Sequence, residues 1–443
     1  NLGTWLQDVG ASWLMTSLAP SPIFVSMVQT AAATPMFLLA LPGGALADIL
    51  DRRKLLLVCQ AWMLGVVGLL ALLTATGRVD AWSLLGLTFL LGLGSALSMP
   101  AWQAVLPELV PRAQLSQAVA LQSVGFNMAR ALGPALGGVL VAAAGPQAAF
   151  GLNAASFLGI LVWLARWKRQ APESALPAER FGGALRAGIR FVRHSPPMRA
   201  VLVRSASFVF FGSAVWALLP LIVRQELHRG PLALGVLLGC LGTGAVAMAL
   251  ALPRLRQRLH TDRLVGISTA AYCALMLGFA FVRDYAALCA LMVLGGAAWM
   301  AILTTVNVAV QASAPSWVRA RAISVYLLAF FSCMAVGSLT WGWIATHGGI
   351  PMALAVAAGT MLLGFGLYRR YPLGDQTEAP DWSPTMHWPA PTVASEPEPE
   401  RGPILVTIDY RVDPARLEGF REALEALRLA RLRAGAIRWE VYE

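Results

Sequence analysis

Apolar runs of about twenty residues recur from the first residue to about Tyr371, each ended by a short stretch of Gly, Pro and charge. A helix needs about 20 apolar residues to cross the hydrocarbon core of a bilayer. The pattern predicts twelve spans, near 1–19, 23–47, 55–76, 81–104, 117–143, 147–166, 201–223, 232–252, 264–282, 285–311, 322–346 and 351–368. The chain opens at Asn1 inside such a run, so the first span is expected to be truncated.

Two stretches break the pattern. In the linker 167–200, Phe181, Leu185, Ile189 and Val192 form an apolar stripe beside Arg186, Arg190 and Arg193. That spacing predicts an amphipathic helix on the inner membrane surface, the alternative being a solvated basic linker that sets topology. Residues 372–402 are a Pro/Glu-rich tether. Beyond it Ile404, Val406, Ile408, Tyr410 and Val412 alternate as a strand. Asp413 and Pro414 then suit the start of a helix with a Leu417, Phe420, Leu424, Leu427 face, and Ile437, Trp439 and Val441 alternate again. Residues 403–443 are thus expected to be a partial βαβ, too short for a core of its own and completed by more chain or by a partner.

Composition agrees with the spans: 57% of residues are hydrophobic and 13% charged, outside the range of soluble globular chains. The net charge of +11 has a membrane explanation. With the first span running outward, the inner loops hold 20 bases and the outer loops four, Arg78, Arg224, Arg229 and Arg283. The asymmetry predicts a multi-pass protein of the plasma membrane with its C-terminus in the cytoplasm. No basic tract interleaved with aromatics points to nucleic acid. The five cysteines include no CxxC pair and are expected to be small buried hydrophobes, with no metal or disulfide site.

The chain also repeats at an offset of 204 residues. "ALADILDRRK" (45–54) lies over "ALALPRLRQR" (249–258), Pro111 and Ala118 over Pro315 and Ala322, Gly133 and Gly138 over Gly337 and Gly342, Gly145 over Gly349. This divides the membrane part into six-helix halves, 1–166 and 201–371, and parallel repeats place a cavity between halves near the midplane. The expected fold is an all-α polytopic membrane protein of 12 transmembrane helices, plus a short C-terminal α+β segment.

Polar groups inside spans are costly and therefore candidates for function. Thr4, Gln7, Asp8 and Ser12 share a face of helix 1; Ser123, Asn127 and Arg130 share one of helix 5. Asp8 facing Arg130 would be an ion pair that protonation could break, or a static structural pair. Gln7, Gln29, Gln103, Asn127, Asn307 and Gln311 are the candidate polar cavity wall, with Gln122, Asn153 and Thr304 as further polar groups. Trp5, Trp13, Phe126, Phe208, Phe211, Trp216 and Trp299 suit an aromatic or amphipathic cargo, or simply face lipid and pack. Arg204 is expected to snorkel from the inner end of helix 7. No metal site or cofactor is indicated: Asp48-x-x-Asp51 precedes three bases, a poor Mg²⁺ site, and no HExxH, Ser/His/Asp set or phosphate loop occurs.

The run Gly44-Ala45-Leu46-Ala47-Asp48-Ile49-Leu50-Asp51-Arg52-Arg53-Lys54 resembles the loop 2–3 signature of the major facilitator superfamily, with Ile49 in place of a base and Asp51 in place of Gly. The resemblance implies a cytoplasmic gate in which Asp48 is the latch and Arg52 and Arg53 its charge partners; otherwise the bases only enforce topology. In helix 5, Gly133-Pro134-Ala135-Leu136-Gly137-Gly138 is similar to the Gly-Pro-x-x-Gly-Gly element of facilitator antiporters, and Gly125, Ala129, Gly133 and Gly137 form a small-residue ridge. Helix 4 lacks the intramembrane Arg that many proton-driven antiporters carry. With "NLGTWLQD", "MPAWQAVLPELVPRAQLSQAVALQS" and "ARALGPALGGVL", the chain most resembles the enterobactin-exporter-like branch, the transmembrane secretion effectors. Residues 403–443 resemble the first half of a ferredoxin-like, antibiotic-biosynthesis-monooxygenase-like domain that some members carry. The resemblance implies no enzyme but a secondary transporter exporting a small amphipathic molecule (drug, siderophore or secondary metabolite) by alternating access with proton antiport. Alternatives are an importer of the same fold, or a protein whose main role lies in its cytoplasmic α+β domain. The implied partners are cargo, the lipid bilayer and a second copy through the C-terminal segment.

Overall fold

The computed structural model describes residues 2–111, 114–167, 181–314, 316–374, 407–408, 410, 412–434 and 438–441. Six helices form the first half: α1 (Leu2–Leu18), α2 (Pro22–Ile49), α3 (Arg52–Ala75), α4 (Ala81–Leu109), α5 (Leu115–Ala144) and α6 (Pro146–Arg166). The linker carries α7 (Phe181–His194). The second half has α8 (Pro196–Leu221) with a π turn at Ile222–Glu226, α9 (Pro231–Arg258), α10 (Thr261–Phe281), α11 (Tyr285–Ala312), α12 (Ser316–Gly348), α13 (Ile350–Leu363) and α14 (Phe365–Arg370). Near the C-terminus lies α15 (Leu417–Ala434).

Ten of these helices are long and apolar enough to cross a membrane. The two further bundle helices fall short of that length: α1 has 17 residues and includes Gln7 and Asp8, and α13 has 14 before the chain restarts as α14. Helix starts are set by local chemistry. Asp51, Asp80 and Asp284 accept amide hydrogen bonds at the N-caps of α3, α4 and α11, and Pro occupies the first turn of α6, α8 and α9.

Within the first half α1 packs on α5 and α6, α3 on α4 and α6, and α2 on α4. In the second, α8 and α13 pack with α12, and α11 with α9 and α10. The halves meet along α5–α9 and α2–α12, and one apolar core runs through both. The end of the bundle carrying α7 is here the linker end, and the opposite one the far end.

The 204-residue offset reappears in the backbone. Gly145 and Gly349 both have positive φ, 77° and 85°, where a helix stops and the next begins. A Cβ on Gly138 would lie 2.5 Å from Gly235 Cα, and one on Gly342 2.6 Å from Ser26 Cβ, so glycine brings the halves together at both crossings. Likewise a Cβ on Gly133 would meet Trp5, and one on Gly337 Phe210 and Ser213.

Three expectations are corrected. Arg204 does not snorkel: it is buried and pairs with Asp262 in the first turn of α10, whose Oδ1 also accepts the Leu373 amide at 3.2 Å. On α7, Val192 of the predicted stripe is buried beside Phe191, and Gly188 abuts Arg321 of α12, while Ile189 of the stripe is exposed, so the face docked on the bundle is turned from the predicted one and shares Val192 with it. Phe181 and Leu185 keep their side chains outside the described residues. Third, the helix of the predicted α+β segment is present as α15, packed on α7 with Leu424 buried, yet no strand occurs among the described residues of 403–443. A pair of short strands with one helix cannot cover its own sheet edges or face. Residues 375–406, which include most of the predicted tether and the start of that first strand, lie outside the described residues.

Candidate functional site

A cavity of about 400 Å³ lies at mid-depth between the two halves. From the first half α1 contributes Trp5, Asp8, Val9 and Ser12, α2 contributes Gln29, Ala32 and Ala33, and α5 contributes Phe126, Arg130 and Pro134. The spacing of Trp5, Asp8, Val9 and Ser12 is that of one helix face. Asp8 is exposed and Arg130 partly so, although both stand within apolar helices, because this wall faces the cavity. Among the described residues no hydrogen bond or ion pair joins Asp8 to Arg130 or either of them to another side chain.

Among the described residues the second half supplies apolar and aromatic surface, chiefly Trp216, Leu219, Trp299, Leu303, Phe330, Phe331 and Met334. Trp299 is fixed by its neighbours, with ring centroids 5.3 Å from Phe208, 5.6 Å from Tyr272 and 5.6 Å from Trp216. Tyr272 is anchored in turn by its hydroxyl, which donates to the Gly212 carbonyl at 3.1 Å. Edge-to-face and tilted ring packing of this kind leaves a rigid wall.

The other sequence candidates fall elsewhere. Gln7 points away from the cavity, buried, and accepts a hydrogen bond from Asn153 Nδ2 of α6. Asn307 donates to the Leu303 carbonyl at 2.9 Å, and Gln103 and Gln311 are exposed without lining the cavity. The side chains of Asn127 and Asp48 lie outside the described residues. Arg53 donates from Nε to the Leu164 carbonyl and from Nη2 to the Ala165 carbonyl, at 2.9 and 2.8 Å, closing the end of α6. Arg52, beside it, begins α3. Asp51, where the superfamily signature has Gly, caps α3 by accepting from the Lys54 amide at 2.9 Å. Gly133 and Gly137 press against α1, Gly138 against α9, while Gly125 has open space around it.

Phe330 and Met334 were missed by sequence reasoning, although the repeat marks them: at an offset of 204 they lie over Phe126 and Arg130. The same offset lays Asp8 over Gly212 and Ser12 over Trp216, so the polar wall exists in one copy only.

At the far end of the cavity the halves are tied by polar contacts. Arg224, in the π turn, donates to Thr16 and Ser17 of α1 and stands 5.6 Å from the centre of the Trp13 ring. Gln225 donates to the Pro20 carbonyl at 2.8 Å and the Ile23 amide to Thr346 at 3.1 Å; at the depth of the cavity, Thr30 donates to the Ala335 carbonyl at 3.1 Å.

This geometry is that of a two-half bundle with a substrate-sized chamber on its seam, and the full length of the chain, residues 1–443, matches the model of one protein family, the transmembrane secretion effectors. The chain belongs to that family, within the major facilitator superfamily. Family and relatives are membrane transporters of small molecules, not enzymes. The transporter is 24% identical over 379 residues to the multidrug efflux pump Tap of Mycolicibacterium fortuitum, covering 82% of this chain and 90% of that one. It is 24% identical over 284 residues to the staphyloferrin A transporter of Staphylococcus aureus, 63% of this chain and 70% of that one. To the enterobactin exporter of Salmonella typhi it is 27% identical over 351 residues, 77% and 81%. Among solved structures, a POT family transporter in complex with 5-aminolevulinic acid superposes with a TM-score of 0.66 at 12% identity, over 84% of this chain and 94% of the other. A bacterial homologue of the human lysosomal transporter Spinster, inward-facing and occupied, gives 0.64 at 14% over 86% and 98%. At these identities the structures share the fold.

Proposed function

We propose that the transporter exports a small amphipathic molecule by alternating access, in exchange for protons, with Asp8 as the proton site. One observation carries the reading: Asp8 and Arg130 line a single cavity on the seam between the halves, with no ion pair holding them together among the described residues. An ionised carboxylate in a chamber with apolar walls is expensive, and a proton or a cargo group relieves that cost. The far-end contacts through Arg224 and the Gly138–Gly235 crossing are the gate on the outer side; loading is from the linker end, which the basic loops put in the cytoplasm. Asp48, Arg52 and Arg53 belong to the opposing, cytoplasmic gate, Arg53 by steadying the end of α6. The efflux and siderophore-export relatives favour export over import.

The test uses everted membrane vesicles energised to an acid interior. Adding a panel of dyes, antibiotics and siderophores one at a time, a transported compound should draw protons out, and dissipating the gradient should stop its uptake. Asp8→Asn should abolish both signals at equal protein level. Uptake that persists undiminished in the presence of a protonophore, or in Asp8→Asn, would sink the proton-exchange reading.

A further inference from the structure

The cavity is electrically lopsided. Among the described residues its polar side chains, Asp8, Ser12, Gln29 and Arg130, all come from the first half, while the second half lines it with Trp216, Trp299, Phe330, Phe331, Met334 and aliphatic residues. The repeat explains the split, since Asp8, Ser12 and Arg130 map onto Gly212, Trp216 and Met334. Any cargo filling this space therefore meets two charges of opposite sign on one side and a rigid aromatic wall on the other.

The two charges do not behave alike. A carboxylate in a dry site can take up a proton and become neutral; a guanidinium cannot give its proton away. When cargo displaces water from the chamber, Arg130 must be compensated by a negative group of the cargo itself, because no acidic side chain pairs with it among the described residues. Asp8 has two ways to be satisfied, a proton or a positive group of the cargo. If proton and cargo exchange at Asp8, as proposed above, the cargo must offer Asp8 what the proton offered it, a positive hydrogen-bond donor.

We infer that the cargo is an amphoteric amphiphile: an acidic group held by Arg130, a basic group held by Asp8, and an apolar or aromatic body laid on the Trp216–Trp299 wall. Arg130 selects for the acid and Asp8 for the base. A purely cationic amphiphile leaves Arg130 uncompensated, and a purely anionic one sets its charge beside an ionised Asp8. This inference rests on the export reading for the role of Asp8 but not for that of Arg130.

Three probes with one fluorophore separate the charge classes: Nε-dansyl-lysine carries both groups, dansylglycine only the acid, dansylcadaverine only the base. Binding to the purified full-length transporter in lipid nanodiscs is read from the rise in dansyl fluorescence, with each variant's gel-filtration profile as the folding control. Nε-dansyl-lysine should bind about tenfold or more tightly than either single-charge probe. Arg130→Gln should bring its affinity down to that of dansylcadaverine, and Asp8→Asn to that of dansylglycine. Arg130→Lys and Asp8→Glu, which keep the charges, should preserve the order of the three. Equal or tighter binding of a single-charge probe, an order unchanged in Arg130→Gln, or no binding of any probe would each overturn the inference. Because the assay measures no proton movement, a preference for the amphoteric probe that depends on Arg130 stands even if cargo-driven proton flux is absent. Conversely, proton flux with some other charge preference removes this inference alone.

Discussion

Arg224 Nη1 lies 2.9 Å from Thr16 Oγ1, so the π turn that follows α8 in the second half is tied to the last turn of α1 in the first. Thr16 is oriented for this contact, since its hydroxyl donates to the Trp13 carbonyl at 2.6 Å and presents a lone pair to the guanidinium. The π turn aims Arg224 across the seam, and such turns collect at functional positions.

Replacing Arg224 by Ala should loosen the far end. In a variant whose five native cysteines are Ser and whose Ser12 is Cys, a membrane-impermeant maleimide added on the far side should react several-fold faster when Arg224→Ala is also present. An unchanged labelling rate would mean that the glycine crossings alone keep that end shut.

The Gly138 crossing leaves no room. A Cβ there would lie 2.5 Å from Gly235 Cα and 2.8 Å from the Pro231 carbonyl oxygen, atoms of the backbone that cannot turn aside. Gly138→Leu should reduce transport to background with protein still in the membrane. Gly125→Ala, on the same helix where nothing lies within 4 Å, should leave transport within about twofold. Equal effects of the two would show that α5 tolerates or resists side chains generally, with no special role for the crossing.

Arg53 satisfies two of the carbonyls that a helix leaves open at its end and brings positive charge to the negative end of α6. Arg53→Ala should cost about 1 kcal/mol, seen as a lower melting temperature in detergent. The charge preference of the cavity should be unaffected, because the residue is not in the cavity wall.

Asp80 caps α4 from the far-end loop. Its carboxyl is held below the usual carboxylate range by hydrogen bonding with Ser83, side chain first, and by the Ser83 and Trp82 amides. With the folded value lowered, its contribution is fully present above the unfolded value, about 3.9, and fades only as pH falls through the lowered one. The melting-temperature gap between wild type and Asp80→Ala should thus stay constant from neutral pH to about 5 and close only in stronger acid. A gap that closes near neutrality would exclude the carboxylate as its source.

Much of this architecture is legible in the residues because bilayer crossing imposes length and hydropathy on each helix, and because duplication writes each constraint twice. The 204-residue offset alone pairs Gly145 with Gly349 and Gly138 with Gly342. Helix faces were harder. Gln7 and Asp8 are neighbours on α1, and hydropathy offers no reason why one should bond Asn153 and the other line the cavity; the choice is made by α5 and α6 on either side. A sequence gives a charged residue at a helix end its sign but not its partner: the burial of Arg204 depends on Asp262, 58 positions away. The alternation at 404–412 and 437–441 predicts strands, and none occurs among the described residues there, because alternation gives a face but no neighbouring strand to bond with.

The corner at Gly145 has no slack. Its φ of 77° turns the chain directly from Ala144, the end of α5, into Pro146, the start of α6. Helix α5 touches the other half at Gly138, two turns before that corner, and α6 runs back about 30 Å at 1.5 Å per residue to the carbonyls that Arg53 holds. The two helices thus act as a rigid hairpin spring, gripped at one tip by the opposite half and at the other by the loop following Asp48. A slide between the halves at the far-end seam would be carried to that loop along the length of α6.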